Sequence, residues 1–275
     1  MNIPVRYLTP QGELISPDFQ AQSLDEVGEL EPDGIYTITR TFHSDQAVML
    51  AAHMDRLEES ARLEGIDLTL DRAWLRSGLR RLIKQAGNDE SRFRITIPRQ
   101  DPQTALLAVE PLKVVPDSIR AAGVQVATFC IDRPNPRAKS NRWIQLREEA
   151  RKKLPDWAYE GLACNKQGVI LEGFSSNFYA VHKGKLRTAK GNVLSGIARK
   201  ILLTVAPEVI EVSFQPIRIE DVPSLDEAML TSSSRGIVPI VRIDEHFIGT
   251  GKPGPIAQEL WRRYQRWVED HLEKI

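Results

Sequence analysis

A carboxylate interrupts an otherwise apolar stretch of the chain. Residues 170–181 read ILEGFSSNFYAV, so Glu172 stands between two short segments that are typical of buried β-strands. An ionised carboxylate is costly in apolar surroundings unless hydrogen bonds or a cation meet it. The pattern therefore predicts either a cationic partner for Glu172 or, more simply, a polar residue at a strand end.

Four other places combine residue types that can do chemistry or hold an anion. Arg56 lies in a segment with helical periodicity, and Lys139 follows a proline-rich approach, NPRAKSN. Gly196 and Ile197 begin a predicted helix, whose first backbone amides can bind an anion. Residues 231–234, TSSS, place four hydroxyl groups at a strand end. Taken singly, these are most simply a surface arginine, a solvated lysine, a helix start and a turn.

Other catalytic classes have little support in the sequence. The five histidines are scattered, without the spacing of metal ligands, and no G-x-S-x-G motif occurs. Residues 249–254, GTGKPG, match the dinucleotide pattern by letter, but they contain a proline and follow a predicted hairpin. We therefore predict no metal site, no nucleotide site and no serine hydrolase.

Composition and charge exclude several kinds of partner. The chain has 275 residues, 41% hydrophobic and 27% charged, with 37 basic and 37 acidic side chains. Balanced charge gives no net field to attract nucleic acid or an anionic membrane. The first residues lack an apolar signal segment, and no apolar run is long enough to span a bilayer. With only two cysteines, neither in a metal or redox spacing, we expect a cytoplasmic protein.

The order of predicted elements favours an α+β fold in two domains. We predict a small N-terminal domain over 1–114, a linker over 115–123 and a large domain over 124–275. Predicted strands include 35–42, 91–98 and 104–112, and predicted helices are 46–64, 71–86, 140–153, 195–206 and 255–274. Two helices among strands, followed by many strands with few helices, argue against a doubly wound parallel sheet.

Together, these segments resemble the class IV, or fold type IV, pyridoxal-phosphate enzymes. This family includes the branched-chain and D-amino-acid aminotransferases and the aminodeoxychorismate lyases. The resemblance begins near Asp33 and is carried, in order, by DGIYTITRTF, HMDRLEES, AKSN, LEGFSSNFYAV, LSGIARK, DEAMLTSSSRGIVPI and IGTGKPGP. It implies a smaller N-terminal α/β domain, a larger strand-rich cofactor-binding domain and a homodimer.

The resemblance also implies pyridoxal 5′-phosphate as the cofactor, with roles for three residues around its ring. Lys139 matches the family's lysine, which forms a Schiff base with the cofactor and moves a proton during the reaction. Glu172 matches the carboxylate that keeps the pyridine nitrogen protonated, so that the ring can withdraw electrons. Tyr36 matches a tyrosine of the D-amino-acid branch and would lie near the lysine.

The resemblance assigns a second set of residues to the cofactor phosphate. Arg56, the backbone amides of Ile197 and Ala198, and the Ser233 hydroxyl would bind it. Relatives commonly carry threonine where Ala198 stands, which removes one hydroxyl contact. Ser233 or Ser234 would then carry more of the phosphate binding.

The substrate carboxylate needs an arginine or a set of backbone amides. The candidate arginines are Arg40, Arg92, Arg94, Arg142 and Arg235. Arg40 aligns with an arginine of the branched-chain enzymes. Arg92 and Arg94 lie on the polar face of the alternating strand 91–98, which either lines a cleft or faces solvent.

We predict an aminotransferase that moves an amino group between an α-amino acid, branched-chain or D-, and a 2-oxo acid. Two alternatives within the fold are an aminodeoxychorismate lyase, which would release pyruvate in 4-aminobenzoate and folate synthesis, and an (R)-amine transaminase. A third alternative, a protein that binds the cofactor without turnover, is disfavoured by the presence of Lys139 and Glu172. The IGTGKPGP segment favours the aminotransferase branches, and the handedness of the substrate stays open.

Overall fold

The computed structural model describes all 275 residues. Its α-helices are α1 (Leu24–Leu30), α2 (Leu50–Glu64), α3 (Arg72–Ala86), α4 (Asp117–Ala122), α5 (Arg142–Arg151), α6 (Ile197–Val205) and α7 (Pro255–Asp270). The strands of the first half are β1 (Val5–Leu8), β2 (Leu14–Ile15), β3 (Gly34–Arg40), β4 (Gln46–Val48), β5 (Ser91–Pro98) and β6 (Ala105–Pro111). The later strands are β7 (Val124–Cys130), β8 (Glu160–Cys164), β9 (Val169–Gly173), β10 (Asn177–His182), β11 (Lys185–Arg187), β12 (Glu211–Ser213), β13 (Ile217–Arg218), β14 (Glu227–Ser232), β15 (Gly236–Ile243), β16 (His246–Phe247) and β17 (Leu272–Lys274).

The chain divides into two compact units. The first consists of Met1–Lys113, Arg137–Leu146 and His271–Ile275, and the second of Val114–Pro136 and Arg147–Asp270. The chain first passes from the first unit to the second between Lys113 and Val114, at the start of the predicted linker. This linker contains the short helix α4. Residues 137–146 belong to the first unit, whereas the predicted boundaries put them in the second domain. Hydrogen bonds from this segment to β3 account for the difference.

The first unit is built on an antiparallel sheet with the strand order β2-β1-β6-β5-β3. Phe93, Ile95 and Ile97 of β5 are fully buried in one core with α2 and α3, as their alternation predicts. On β6 the odd residues join this core, while Leu106 and Ala108 pack with helix α1. Because successive strand residues face opposite sides, this sheet is covered on both faces.

Two predicted helices lose residues to a single strand pairing in the structure. Residues 46–48 form β4 instead of the first turn of a helix, and they pair with β17, for example Val48 with Leu272. Met49 then has a left-handed backbone (φ 50°), and α2 begins at the next residue. Since 272–274 are used in this pair, α7 ends at Asp270. A pairing between residues so far apart has no local sequence signal.

The second unit contains a ten-stranded sheet with the order β12-β11-β10-β14-β15-β7-β8-β9-β13, and β16 pairs with β15. Glu172 on β9 also pairs with Asn177 on β10. This extra pairing closes six strands (β10, β14, β15, β7, β8 and β9) into a ring, as in a small barrel. Helices α6 and α7 pack against each other and against β14. None of the helices has both the length and the apolar character needed to cross a bilayer.

Gly34 offers a test of the close strand pairing in the first unit. A Cβ atom at Gly34 would lie 2.2 Å from the carbonyl oxygen of Ile97 on the neighbouring strand. We expect Gly34→Ala to lower the free energy of unfolding by about 1–3 kcal/mol, because the backbone must shift to relieve the overlap. The matched control is Gly191→Ala, whose Cβ would meet nothing within 4 Å. Equal urea midpoints for the two variants would contradict the described pairing.

Candidate active site

The backbone around Lys139 is fixed against β3. The amide of Tyr36 donates to the carbonyl of Lys139 (2.9 Å), and the amide of Asn141 donates to the carbonyl of Gly34 (3.1 Å). The Lys139 amide donates to the hydroxyl of Ser60 on α2 (3.0 Å). The lysine predicted to react is therefore held by main-chain bonds on both of its sides.

The side chains of Lys139 and Tyr36 meet, as the sequence predicts. The Lys139 Nζ lies over the Tyr36 ring, 4.6 Å from its centroid, and Tyr36 itself is buried. A cation over the face of an aromatic ring is attracted by the ring's negative π-face. The ring therefore limits the positions that the amine can take.

Arg56 is a buried residue of α2 rather than a surface arginine. Its Nη2 donates to the Thr37 hydroxyl (2.9 Å) and lies 3.4 Å from the Nδ1 of His53. The same hydroxyl and imidazole nitrogen are 2.7 Å apart. The sequence placed His53 only among the scattered histidines, so its part in this cluster was missed. A guanidinium held in this way suits a phosphate group.

Glu172 lies where the ring of strands closes, and it is only 3% exposed. Its Oε2 accepts hydrogen bonds from the amide of Leu194 (3.0 Å) and the side chain of Asn177 (3.3 Å). Its Oε1 accepts from the Nη1 of Arg133 (2.5 Å). The predicted need for a cation is thus met within the second unit by Arg133, which sequence reasoning missed.

Asn177 connects Glu172 to the start of α6. Besides Glu172, its side-chain nitrogen donates to the carbonyl of Leu194 (2.9 Å). Gly196 is the N-cap of α6 and has no side-chain cap, and a Cβ there would lie 2.2 Å from the Oδ1 of Asn177. The amides of Ile197 and Ala198 belong to the first turn, whose donors have no partner within the helix. The predicted helix start is therefore present, and its binding of an anion stays a prediction.

The four hydroxyls of residues 231–234 have different surroundings. The Thr231 hydroxyl lies 3.2 Å from the hydroxyl of Tyr179, and burial raises the pKa of Tyr179 to about 12. Ser232 accepts from the Nε of Arg235 (2.9 Å). Ser233 and Ser234 lie half-buried in the turn between β14 and β15. Their position at a strand end agrees with the predicted turn.

Each of the five candidate arginines already meets a carboxylate. The pairs are Arg40 with Glu90, Arg92 with Glu110 (3.0 Å), Arg94 with Glu31, Arg142 with Asp33 (3.3 Å) and Arg235 with Glu160 (2.8 Å). Arg94 is 1% exposed, so the polar face of β5 at this position is neither solvated nor open. Arg142 is the most exposed of the five, with 58% of its side chain accessible.

Glu160 was not among the predicted residues, although it organises the GFSSN segment. Its Oε1 accepts from the Ser175 amide (2.6 Å) and the Ser176 hydroxyl (3.0 Å), and Arg235 binds its Oε2. Burial raises the pKa of Glu160, but the charge of Arg235 and these hydrogen bonds outweigh burial, so the pKa lies below its ordinary value. The two serines beside Glu172 are thus structural donors to Glu160.

Residues 34–243, well over half of the chain, match the family model for class IV aminotransferases. This chain belongs to the class IV aminotransferases. The predicted family and the aminotransferase activity are confirmed by this match. No group of three potential metal-ligating side chains occurs in the structure.

Relatives and solved structures extend the match over the whole length. The chain is 24% identical to the D-alanine aminotransferase of Staphylococcus epidermidis over 282 residues, which covers 94% of this chain and 97% of the relative. It is 30% identical to the chloroplastic D-amino-acid transaminase of Arabidopsis thaliana over 236 residues, which covers 77% of this chain and 62% of the relative. The structure of a branched-chain aminotransferase of Thermoproteus uzoniensis, solved with norvaline, matches with a TM-score of 0.80 at 21% identity. The match covers 100% of this chain and 99% of that chain. The class IV aminotransferase is therefore a two-domain α+β protein, as predicted.

Breaking the Arg133–Glu172 pair tests the electrostatics of the site. We expect Arg133→Met to lower the free energy of unfolding by about 3–5 kcal/mol, because it leaves a buried carboxylate without its cation. The double variant Arg133→Met/Glu172→Gln should lose less than Arg133→Met alone, since no buried charge is left. Arg137→Met, which removes a guanidinium that is 68% exposed, is the control and should cost at most about 1 kcal/mol. Additive losses in the double-mutant cycle would contradict the pairing.

The depressed pKa of Glu160 predicts a dependence of stability on pH. The ionised pair with Arg235 stabilises the fold at neutral pH, and this stabilisation is lost as the pH falls through the lowered pKa of Glu160. We expect urea unfolding below about pH 4 to depend less steeply on pH in Glu160→Gln than in the unchanged protein. Identical slopes in the two proteins would show that Glu160 is not held ionised.

Proposed function

We propose that Lys139 and Glu172 are the catalytic residues of this pyridoxal 5′-phosphate-dependent aminotransferase. The enzyme moves an amino group from an α-amino acid to a 2-oxo acid. The observation that carries the assignment is the Glu172 carboxylate, which is buried, oriented by Asn177 and Leu194, and joined through Asn177 to the start of α6. A carboxylate in this setting is suited to holding a cation, as its pair with the Arg133 guanidinium shows.

The residues present fit pyridoxal 5′-phosphate by their chemistry. The second unit supplies a buried carboxylate for a protonated ring nitrogen and an uncapped helix start for a phosphate. Because there is no room for a Cβ at Gly196, backbone amides and not a side chain lie at this helix start. The first unit supplies a lysine amine and a buried guanidinium. When bound, the cofactor supplies an electron sink for negative charge that develops at the substrate Cα.

Each proposed residue has a defined task. With the cofactor present, the Lys139 Nζ would hold it, and the free amine would move the proton at the substrate Cα. Glu172 would hold a proton at the pyridine nitrogen, and its burial would strengthen this interaction because the surrounding dielectric is low. The residues that would bind the phosphate are Arg56, Ile197 and Ala198 through their amides, and Ser233 and Ser234 through their hydroxyls, while Tyr36 would orient the lysine.

We propose that the substrate is an amino acid of the branched-chain or D-series, in keeping with the activities of the relatives. Its carboxylate must be bound by a guanidinium or by backbone amides. Among the five arginines, Arg142 has the most exposed side chain; it pairs with the exposed Asp33 and, at 3.6 Å, with Glu64, and an exposed ion pair contributes only about 0–1 kcal/mol. Opening the buried Arg94–Glu31 pair would cost several kcal/mol. Arg142 is therefore the favoured candidate of the five.

We further propose that the enzyme is a cytoplasmic homodimer. Support comes from the family resemblance and from an exposed aromatic cluster in the second unit. Trp157 and Phe247 are 40% and 67% exposed, and the Arg242 guanidinium lies 4.6 Å and 6.0 Å from their ring centroids. Aromatic residues and arginine are enriched at protein interfaces. Sedimentation of the protein at several concentrations measures the assembly, and a monomer at all of them would contradict the proposal.

The role of Lys139 is tested by locating the covalent attachment. We expect borohydride reduction of the cofactor-loaded protein, followed by peptide mass analysis, to find the cofactor on the peptide that contains Lys139. Lys139→Ala should lose this label and at least about 10²–10⁴-fold in the rate of amino transfer, the usual contribution of an acid–base group. Lys166→Ala, which changes a lysine that is 79% exposed, is the control. A label on any other peptide would make the assignment wrong.

The substrate class is tested by a panel of D- and L-amino acids and of chiral amines. We expect at least one α-amino acid to convert the visible absorbance of the bound cofactor to that of its amine form and to yield the 2-oxo acid. Release of pyruvate from aminodeoxychorismate would instead show the lyase activity. A response to amines alone would replace the amino-acid assignment by amine transamination.

A further inference from the structure

The Tyr36 ring is in contact with two positive groups of the first unit. The guanidinium carbon of Arg94 lies 3.8 Å from the ring centroid, and the Lys139 Nζ lies 4.6 Å from the same centroid. Both distances are within the range of a cation–π interaction. The Arg94 guanidinium carbon and the Lys139 Nζ are therefore no more than about 8 Å apart. This is roughly one Debye length at physiological ionic strength. Arg94 is therefore close enough to affect the lysine.

Arg94 is held by a buried glutamate that the sequence did not single out. The Arg94 and Glu31 side chains are 2% and 0% exposed, and two parallel hydrogen bonds join them, from Nε to Oε2 (2.7 Å) and from Nη2 to Oε1. The Thr96 hydroxyl also donates to Oε2 (2.6 Å). Such a bidentate pair fixes the plane of the guanidinium as well as its place. The guanidinium that lies over Tyr36 therefore has a fixed orientation.

The same glutamate is also bonded to the lysine segment. Asn141, two residues after Lys139, donates to the Glu31 Oε1 (3.3 Å) and to the carbonyl of Pro32 (2.7 Å). The Asn141 Oδ1 accepts from the amide of Gly34 (3.0 Å), two residues before Tyr36. Glu31 thus reaches Lys139 by two routes, through Arg94 and the Tyr36 ring, and through Asn141 and the main chain.

These contacts argue against a direct contact between Arg94 and the substrate. Arg94 is 1% exposed, and its guanidinium already binds a carboxylate in a bidentate geometry. Even a methyl group added at Gly28 would lie 3.5 Å from its Nη1 and 3.1 Å from Ile144. A buried ion pair is weak evidence for stability, because burial is costly for both charges. The Arg94–Glu31 pair matters here because it fixes the position and orientation of the guanidinium.

We propose that Glu31 and Arg94 are positioning residues that hold the Tyr36 ring against Lys139 and so set the direction of the lysine amine. This inference rests on the proposed role of Lys139. Displacement of a reacting group by about 1 Å can cost 10²-fold in rate, whereas substrate binding need not change. Loss of the pair therefore slows covalent attachment of the cofactor and lowers kcat, with little effect on KM.

The test compares Arg94→Lys and Glu31→Gln with the unchanged protein. The visible absorbance of added pyridoxal 5′-phosphate gives the rate of attachment to Lys139, and steady-state kinetics give kcat and KM. We expect attachment and kcat to fall about 10–100-fold in both variants, with KM within about threefold. The control is Arg76→Gln, which breaks the partly buried pair with Glu273 elsewhere in the first unit and should change neither rate.

Two further variants keep the test decisive if loss of the buried pair prevents folding. Tyr36→Leu removes the ring and leaves the Arg94–Glu31 pair intact, while Tyr36→Phe retains the ring. We expect Tyr36→Phe to recover most of the attachment rate that Tyr36→Leu loses, since the cation–π contact needs only the ring.

The outcomes separate the inference from the proposed function. A raised KM with an unchanged kcat in Arg94→Lys would show that Arg94 binds substrate, which overturns the positioning role. Unchanged attachment in Glu31→Gln, or equal rates in Tyr36→Phe and Tyr36→Leu, would also overturn it, while Lys139 keeps its assignment. If the unchanged protein does not attach the cofactor at Lys139, the proposed function fails and this inference fails with it.

Discussion

A negative charge enclosed where six strands close into a ring is the constraint on which the second unit depends. Glu172 is 3% exposed, and its two oxygens are met by a main-chain amide, by Asn177 and by Arg133. A buried carboxylate without partners would be costly there. The elements that donate hydrogen bonds to Glu172 are therefore held in place around it. The start of α6 is tied to the same carboxylate through Asn177, so that the helix amides and the carboxylate keep a constant geometry.

The first unit has a corresponding constraint around the lysine. Residues 137–146 return to this unit, and main-chain bonds to Gly34 and Tyr36 hold the segment against β3. The segment is therefore part of the sheet's support and not a free loop. This explains how a lysine that follows a proline-rich stretch keeps a defined position, and why buried polar residues such as Glu31 collect beside it.

Local sequence patterns predicted those elements whose ends are set by neighbouring residues. The helix α3 begins after Asp71, whose side chain caps it, and ends at Gly87, which has a left-handed backbone, as the sequence indicates. Lys139 and Glu172 could be selected because their segments carry family motifs. Arg133 and Glu31 could not, because their partners lie 39 and 63 residues away and the chain has many other arginines and glutamates. The pairing of β4 with β17 was missed for the same reason, since only the tertiary fold brings the two strands together.

We propose that Glu172, whose Oε1 pairs with Arg133 in this structure, keeps the pyridine nitrogen of the bound cofactor protonated. The most direct measurement is the ¹⁵N NMR resonance of pyridoxal 5′-phosphate labelled at that nitrogen and bound to the enzyme. The account predicts a protonated nitrogen in the unchanged enzyme at neutral pH and an unprotonated one in Glu172→Gln. An unprotonated nitrogen in the unchanged enzyme, or one that does not respond to Glu172→Gln, would contradict it.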